Sequence, residues 1–246
     1  MSKCQDVIYS DNYADYILNY TSPAGRELIE EATCREMINE EYAIIHVERQ
    51  DRENGMRQFL RYQNIPRVFG LLDTTYLEET GVARIRRLPG LDLFGEGVIL
   101  GVLDTGVDYR HRAFQNEDGT TRINVIWDQT LPSDDPPEGL DYGSIYTAEE
   151  INRALESDDP LSIVPSMDEN GHGTFLAGIA GGSIVEEENF SGVAPFCELA
   201  VVKLKEAKDY LRDFWLLPEG VTAFQETDIF TGIKFIMDYA YRQNKP

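Results

Sequence analysis

Asp104 and His172 are the two residues of this chain best placed to do chemistry together. Asp104 closes an apolar run, Val98-Ile99-Leu100-Gly101-Val102-Leu103, and is followed by Thr105-Gly106. His172 sits between two glycines in Asn170-Gly171-His172-Gly173-Thr174-Phe175-Leu176-Ala177-Gly178. A carboxylate held against an imidazole fixes which ring nitrogen carries the proton, and it stabilises the imidazolium once that forms. The other ring nitrogen can then take the proton of a hydroxyl, which is a poor nucleophile without such a base. Taken singly, an Asp after a strand is usually a turn or cap residue. Joint occurrence changes that reading, because each residue has matching flanks and sits on the right kind of element. His46 and His111 lack such a setting; the first is in a strand candidate and the second in a polar turn after Asp108. An aspartyl phosphotransferase would want a D-x-D pair, and Asp104 and Asp108 are too far apart for one.

The elements around the pair follow from patterning. Val98 to Leu103 and Leu199 to Leu204 are apolar runs of the kind buried on both faces of a parallel sheet. In such a sheet, active groups gather at the carboxyl ends of strands, where Asp104 lies. A helix should open near His172 and stop at Gly181-Gly182. The last helix should run from about Asp228 to Arg242, with Ile229, Ile233, Ile236 and Ala240 on one apolar face. Strands alternating with helices predict a doubly wound α/β fold.

Residues 1–75 read as a smaller α+β unit. Ser22-Pro23 is a helix start, and the helix should reach about Asn39. Tyr42 to Glu48 is a strand, Asn54-Gly55 a turn, and Phe59 to Leu72 a mixed segment broken by Pro66. A Gly- and Pro-bearing connection, Leu77 to Gly97, leads into residues 76–246. Between Leu131 and Asn170, eleven acidic residues face Arg153 alone, with Pro132, Pro136, Pro137 and Pro160 interspersed. Apart from a short helix from about Thr147 to Leu155, this insertion of about 131–170 reads as a solvated surface excursion. Calcium suits its hard carboxylates, but their spacing matches no calcium loop, so no cofactor or metal is expected.

Composition excludes several classes. A net charge of −22 over 246 residues would repel a phosphate backbone, so nucleic acid is not an expected partner. No apolar run approaches the ~20 residues of a membrane span. Met1-Ser2-Lys3-Cys4-Gln5-Asp6 shows no secretory signal. Cys4, Cys34 and Cys197 are odd in number and widely spaced, which suggests neither a disulfide framework nor a zinc site and favours a reducing compartment.

The segments at Asp104 and His172 resemble the Asp-Thr-Gly and His-Gly-Thr signatures of the subtilisin-like serine proteases, the subtilases of peptidase family S8. Ser191-Gly192-Val193-Ala194-Pro195 resembles the family's Gly-Val-Ala-Pro stretch. The acidic insertion, Trp127-Asp128-Gln129-Thr130 and Tyr210 to Phe214 are similar to the clostridial branch, which includes germination proteases that activate a cortex-lytic enzyme in spores. The resemblance covers about residues 92 to 240. It implies a subtilisin-like sheet, a propeptide-like role for residues 1–75, Asp104 as orienting acid, His172 as general base, a protein or peptide substrate, and a cytoplasmic or spore location. The family's nucleophile in Gly-Thr-Ser, its oxyanion-hole Asn and the strand after the last helix have no counterpart here. Ser183 ends a helix and Ser191 precedes Gly-Val-Ala-Pro, so neither replaces that nucleophile. The chain therefore reads as the N-terminal part of a serine endopeptidase, without the C-terminal half of the catalytic domain and inactive by itself. The alternative is a truncated pseudoprotease that acts as a binding or regulatory protein.

Overall fold

The computed structural model describes residues 3–32, 34–49, 64–69, 93–185, 187 and 190–246. The expected Asn54-Gly55 turn, the 75/76 boundary and most of Phe59–Leu72 and Leu77–Gly97 lie outside them. In chain order the elements are α1 (Lys3–Ile8), β1 (Tyr13–Asn19), α2 (Pro23–Glu31), β2 (Cys34–Met37), β3 (Tyr42–Glu48), β4 (Val68–Phe69), β5 (Ile99–Asp104), β6 (Ile123–Asp128), β7 (Ser144–Thr147), α3 (Ala148–Leu155), α4 (His172–Gly181), β8 (Glu198–Lys203), α5 (Asp209–Phe214), β9 (Phe224–Gln225) and α6 (Glu226–Arg242). They divide between two compact units, one from 1–70, 129–144 and 204–235, the other from 71–128, 145–203 and 236–246. No described helix is long and apolar enough to cross a membrane.

In the first unit, β1, β3 and β2 form an antiparallel sheet in that order. Ser22 caps α2 by accepting from Gly25 N at 3.1 Å, and Pro23 sets the first turn. The helix stops at Glu31, not near Asn39. Cys34 to Met37 alternates buried and exposed, a strand period, and pairs with β3. Leu18, Leu28, Ile29, Ala43 and Ile45 form the core beneath. The cysteine expectation is corrected: Cys4 and Cys34 are joined in a disulfide, with Cα atoms 5.4 Å apart. Packing of α1 on β2 brings them together across a separation of 30 residues, which spacing could not reveal. The cysteines therefore no longer argue for a reducing compartment.

The same unit buries a set of charges. Asp15 faces His46 Nδ1 and Lys208 Nζ, each at 2.7 Å, and accepts from Gln225 Nε2 at 2.7 Å. Glu36 lies 3.6 Å from His46 Nε2, and Lys205 pairs with Asp228 at 2.7 Å. Burial alone would push the Asp15 carboxyl up, but Lys208 and His46 outweigh it and hold it far below the usual carboxylate range. Val68–Phe69 pairs antiparallel with Phe224–Gln225, and Glu226 N donates to Arg67 O at 2.6 Å.

In the second unit, β5, β8 and β6 are parallel neighbours, with β7 beyond β6 and β5 at the opposite edge of the described strands. β6, Ile-Asn-Val-Ile-Trp-Asp, is nearly all buried and adds a strand to the two read from the sequence. The core joins Val102, Ile126, Leu199 and Val201 to Phe114, Tyr109 and Ala177. It also takes in Ile151, Ala154 and Val164. The 131–170 insertion is therefore not simply a surface excursion. Its helix α3 carries a capping box, Thr147 with Glu150, and turns Ile151 and Ala154 inward while Glu149 and Arg153 stay exposed. The last helix also differs from its sequence pattern. Its buried residues are Thr227, Asp228, Thr231, Gly232 and Phe235, whereas Ile233 is 43% and Met237 65% exposed. Asp228 and Thr231 are buried because Lys205, Tyr142 and Gln129 bond them, and such partners outweigh a simple apolar stripe.

Candidate active site

β5 delivers Asp104, 8% exposed, at the carboxyl end of the parallel sheet. The chain then turns at Gly106, where φ is +112° and a side chain would be strained. β8 runs beside β5, with Lys203 opposite Asp104. α4 begins at His172, after Gly171 in the left-handed conformation. Gly173 permits the helix start to close on the strand end, since a Cβ there would lie 2.2 Å from Gly106 O and 3.1 Å from Asp104 Cβ. The result is a direct contact: His172 Nδ1 stands 2.8 Å from Asp104 Oδ1, with both side chains mostly buried. An Nδ1–H tautomer would donate to the carboxylate in this geometry and turn the lone pair of Nε2 away from it.

A second layer, missed in the sequence, surrounds the pair. Thr105 N donates to Asp104 Oδ1 at 2.8 Å. Thr105 Oγ1 accepts from Gly173 N at 2.9 Å and donates to Asp168 Oδ1 at 2.8 Å. Asp168 Oδ2 accepts from Thr174 N at 2.8 Å and Thr174 Oγ1 at 2.6 Å. Thr174 Oγ1 in turn accepts from Asp108 N at 2.9 Å. Burial would raise the Asp168 carboxyl, but the hydrogen bonds from Thr174, Thr105 and Gly171 keep it below its ordinary value. Lys203 Nζ donates to Met167 O and to Glu169 Oε2, the latter at 2.7 Å, and so ties down the residues flanking Asp168. The available signal was Asp168-x-x-x-His172-Gly-Thr174, an acidic residue and a threonine bracketing a helix start.

The other sequence candidates lie elsewhere in the network. His46 belongs to the buried charges of the first unit, and His111 Nδ1 accepts from Ala113 N at 3.2 Å. Ser183 Oγ donates to Gln115 O at 2.7 Å, and Ser191 Oγ to Gly192 O at 3.0 Å. Among the described residues, no three His, Cys, Asp or Glu side chains converge to hold a metal ion.

A sequence model of the subtilase family matches residues 95–225, more than half of the chain and inclusive of Asp104 and His172. The chain belongs to the subtilase family. The solved structure of the Clostridium perfringens CspB protease matches with a TM-score of 0.53 at 36% identity, over 67% of this chain and 30% of that one. The subtilisin-like protease SBT2.3 of Arabidopsis thaliana is 30% identical over 132 residues, 46% of this chain and 15% of the relative. SBT3.3 of the same plant is 31% identical over 108 residues, 41% of this chain and 14% of that protein. The chain thus spans only a small part of the length of each of these relatives. This subtilase has the family's α/β architecture with a parallel sheet and resembles a clostridial member.

Proposed function

We propose that this chain supplies the acid and base of a serine endopeptidase whose nucleophile lies outside residues 1–246. The observation that carries the reading is the 2.8 Å contact between His172 Nδ1 and Asp104 Oδ1 at the carboxyl end of a parallel sheet. Asp104 orients the ring. His172 takes the proton of a serine hydroxyl through Nε2 as that hydroxyl attacks a peptide carbonyl, then returns it to the leaving amine. Asp104 stabilises the imidazolium in between. The substrate is a protein or peptide, not a nucleic acid, and no cofactor takes part.

Two features support a continuation of the fold. Ile99 N, at the start of the edge strand β5, donates to Pro246 O at 3.0 Å, so the chain leaving α6 meets that edge where a parallel neighbour would begin. The outer face of α6 carries Ile233, Met237 and Tyr241, the last 87% exposed, an apolar stripe suited to burial against further structure. Pairing of β4 with β9 supports the propeptide-like reading of residues 1–75, because an extended segment is held there by main-chain bonds as a bound peptide is in strand addition. The compartment implied by the family resemblance is the cytoplasm or the spore.

The test is peptide hydrolysis by the product of the whole reading frame. His172→Ala should lower turnover by roughly 10⁴- to 10⁶-fold, and Asp104→Asn by somewhat less, since its task is orientation. Near-normal turnover in the His172 variant would refute the assignment. A frame that closes at Pro246, giving a folded product without hydrolysis, would favour the regulatory pseudoprotease.

A further inference from the structure

We propose that Asp168 is a positioning residue of the Asp104–His172 pair, one that draws the Thr105 hydroxyl proton away and so leaves the Asp104 carboxylate to the imidazole. This rests on the general-base reading of His172. The Thr105 hydroxyl has a single proton and two carboxylates in reach, Asp168 Oδ1 at 2.8 Å and Asp104 Oδ1 at 3.2 Å. That Asp104 oxygen already accepts from Thr105 N at 2.8 Å and faces His172 Nδ1 at 2.8 Å. A carboxylate oxygen offers about two lone-pair sites, so a third donor there would compete with the imidazole N–H. The shorter contact to Asp168 removes the competitor and leaves the Thr105 oxygen to receive Gly173 N–H.

Asp168 is well held for this task. Four short hydrogen bonds fill its two oxygens, from Thr105 Oγ1 at 2.8 Å and Gly171 N at 2.9 Å on Oδ1 and from Thr174 N at 2.8 Å and Thr174 Oγ1 at 2.6 Å on Oδ2, with Asn170 N a longer contact at 3.2 Å. Negative charge at the start of α4 is also favoured by the exposed amides there. One carboxylate therefore fixes both the segment after Asp104 and the turn that presents His172, without touching the ring.

The ring nitrogens of His172 report this directly, by ¹⁵N NMR of the 246-residue chain at neutral pH, and no nucleophile is needed. Their signals are those lost in His172→Gln. In the unsubstituted chain, Nδ1 should be protonated and Nε2 bare, giving two well-separated signals. Asp168→Ala frees the Thr105 proton for Asp104 Oδ1 and should shift the tautomer ratio toward Nε2–H by roughly fivefold, the weight of one ordinary net hydrogen bond. The two signals then move toward each other. Asp168→Asn retains one oxygen and should move them in the same direction by less. Its shape is nearly that of Asp, so it decides the matter if the Ala variant loses its dispersed spectrum. If the carboxylate merely capped the helix, its loss would speed amide exchange at the start of α4 and leave the ring signals in place. Unmoved ring signals in the Asn variant overturn the role given to Asp168 while the pair stands. An Nε2–H ring in the unsubstituted chain overturns the general-base reading itself.

Discussion

Replacing His46 with Gln should flatten the pH dependence of stability on the alkaline side. His46 is 5% exposed, with Asp15 of β1 at Nδ1 and Glu36 of β2 facing Nε2. Lys208 Nζ donates to the same Asp15 oxygen that faces His46, Gln225 Nε2 donates to the other, and Lys205 lies near enough to act on the carboxylate. Burial alone would pull the imidazole pKa down. The attraction and hydrogen bond of Asp15, helped by Glu36, exceed that effect and raise it to about 9. The unfolded chain keeps an ordinary value of about 6.5. The folded state thus binds the proton more tightly, so this stabilisation is complete below about pH 6.5 and drains away as pH rises through about 9. A raise of that size corresponds to about 3 kcal/mol, a large part of a typical net stability of about 5–15 kcal/mol. Asp228, raised by burial to about 6, acts below this window. Burial pushes the Tyr142 and Tyr210 hydroxyls well above their ordinary range, so they act beyond it. Burial also raises the Cys197 thiol, a contribution common to both proteins. The assay is urea unfolding at several pH values from about 6.5 to 9.5, with the disulfide intact. The parent should lose about 3 kcal/mol across the range and His46→Gln almost none of that share. Equal pH slopes in the two proteins would refute the reasoning.

Other substitutions test separate features. Gly173→Ala places a methyl 2.2 Å from Gly106 O, and calorimetry should show a loss of about 1–3 kcal/mol together with a displaced His172 ring spectrum. Ile151→Ala should cost about 2–5 kcal/mol although it lies in the acidic insertion, whereas the exposed Glu149→Gln should stay within about 0.5 kcal/mol. Cys34→Ser opens a loop closed across 30 residues and should cost about 2–4 kcal/mol by denaturant unfolding, an effect that vanishes when both proteins are reduced.

What the sequence made legible depended on how local each cause was. β5, β8 and the start of α4 declare themselves by apolar runs and glycine punctuation, and the pair at their ends by its flanks. Asp168 was visible as a letter but was counted among the charges of an acidic stretch. Its hydrogen bonds with Thr105 and Thr174 appear only once the helix start and the end of β5 are placed around it. Asp15 and Lys208 lie 193 residues apart, so their buried contact leaves no periodicity to read. The same holds for Cys4 and Cys34, which meet only because α1 packs on β2. In α6, the 3.6-residue pattern put Ile229, Ile233, Ile236 and Ala240 on one apolar face, but Asp228 and Thr231 are buried through partners that no pattern within the helix could predict.

Fluorophosphonate labelling tests the central claim most directly, because this reagent reacts with a serine only when base and oxyanion donors activate it. The 246-residue chain should take up no label at any serine, since the proposal assigns it the acid and the base and places the nucleophile outside it. The product of the whole reading frame should be labelled at one serine beyond Pro246, and His172→Ala should abolish the labelling. A labelled serine within residues 1–246, or labelling that survives loss of His172, would contradict the account.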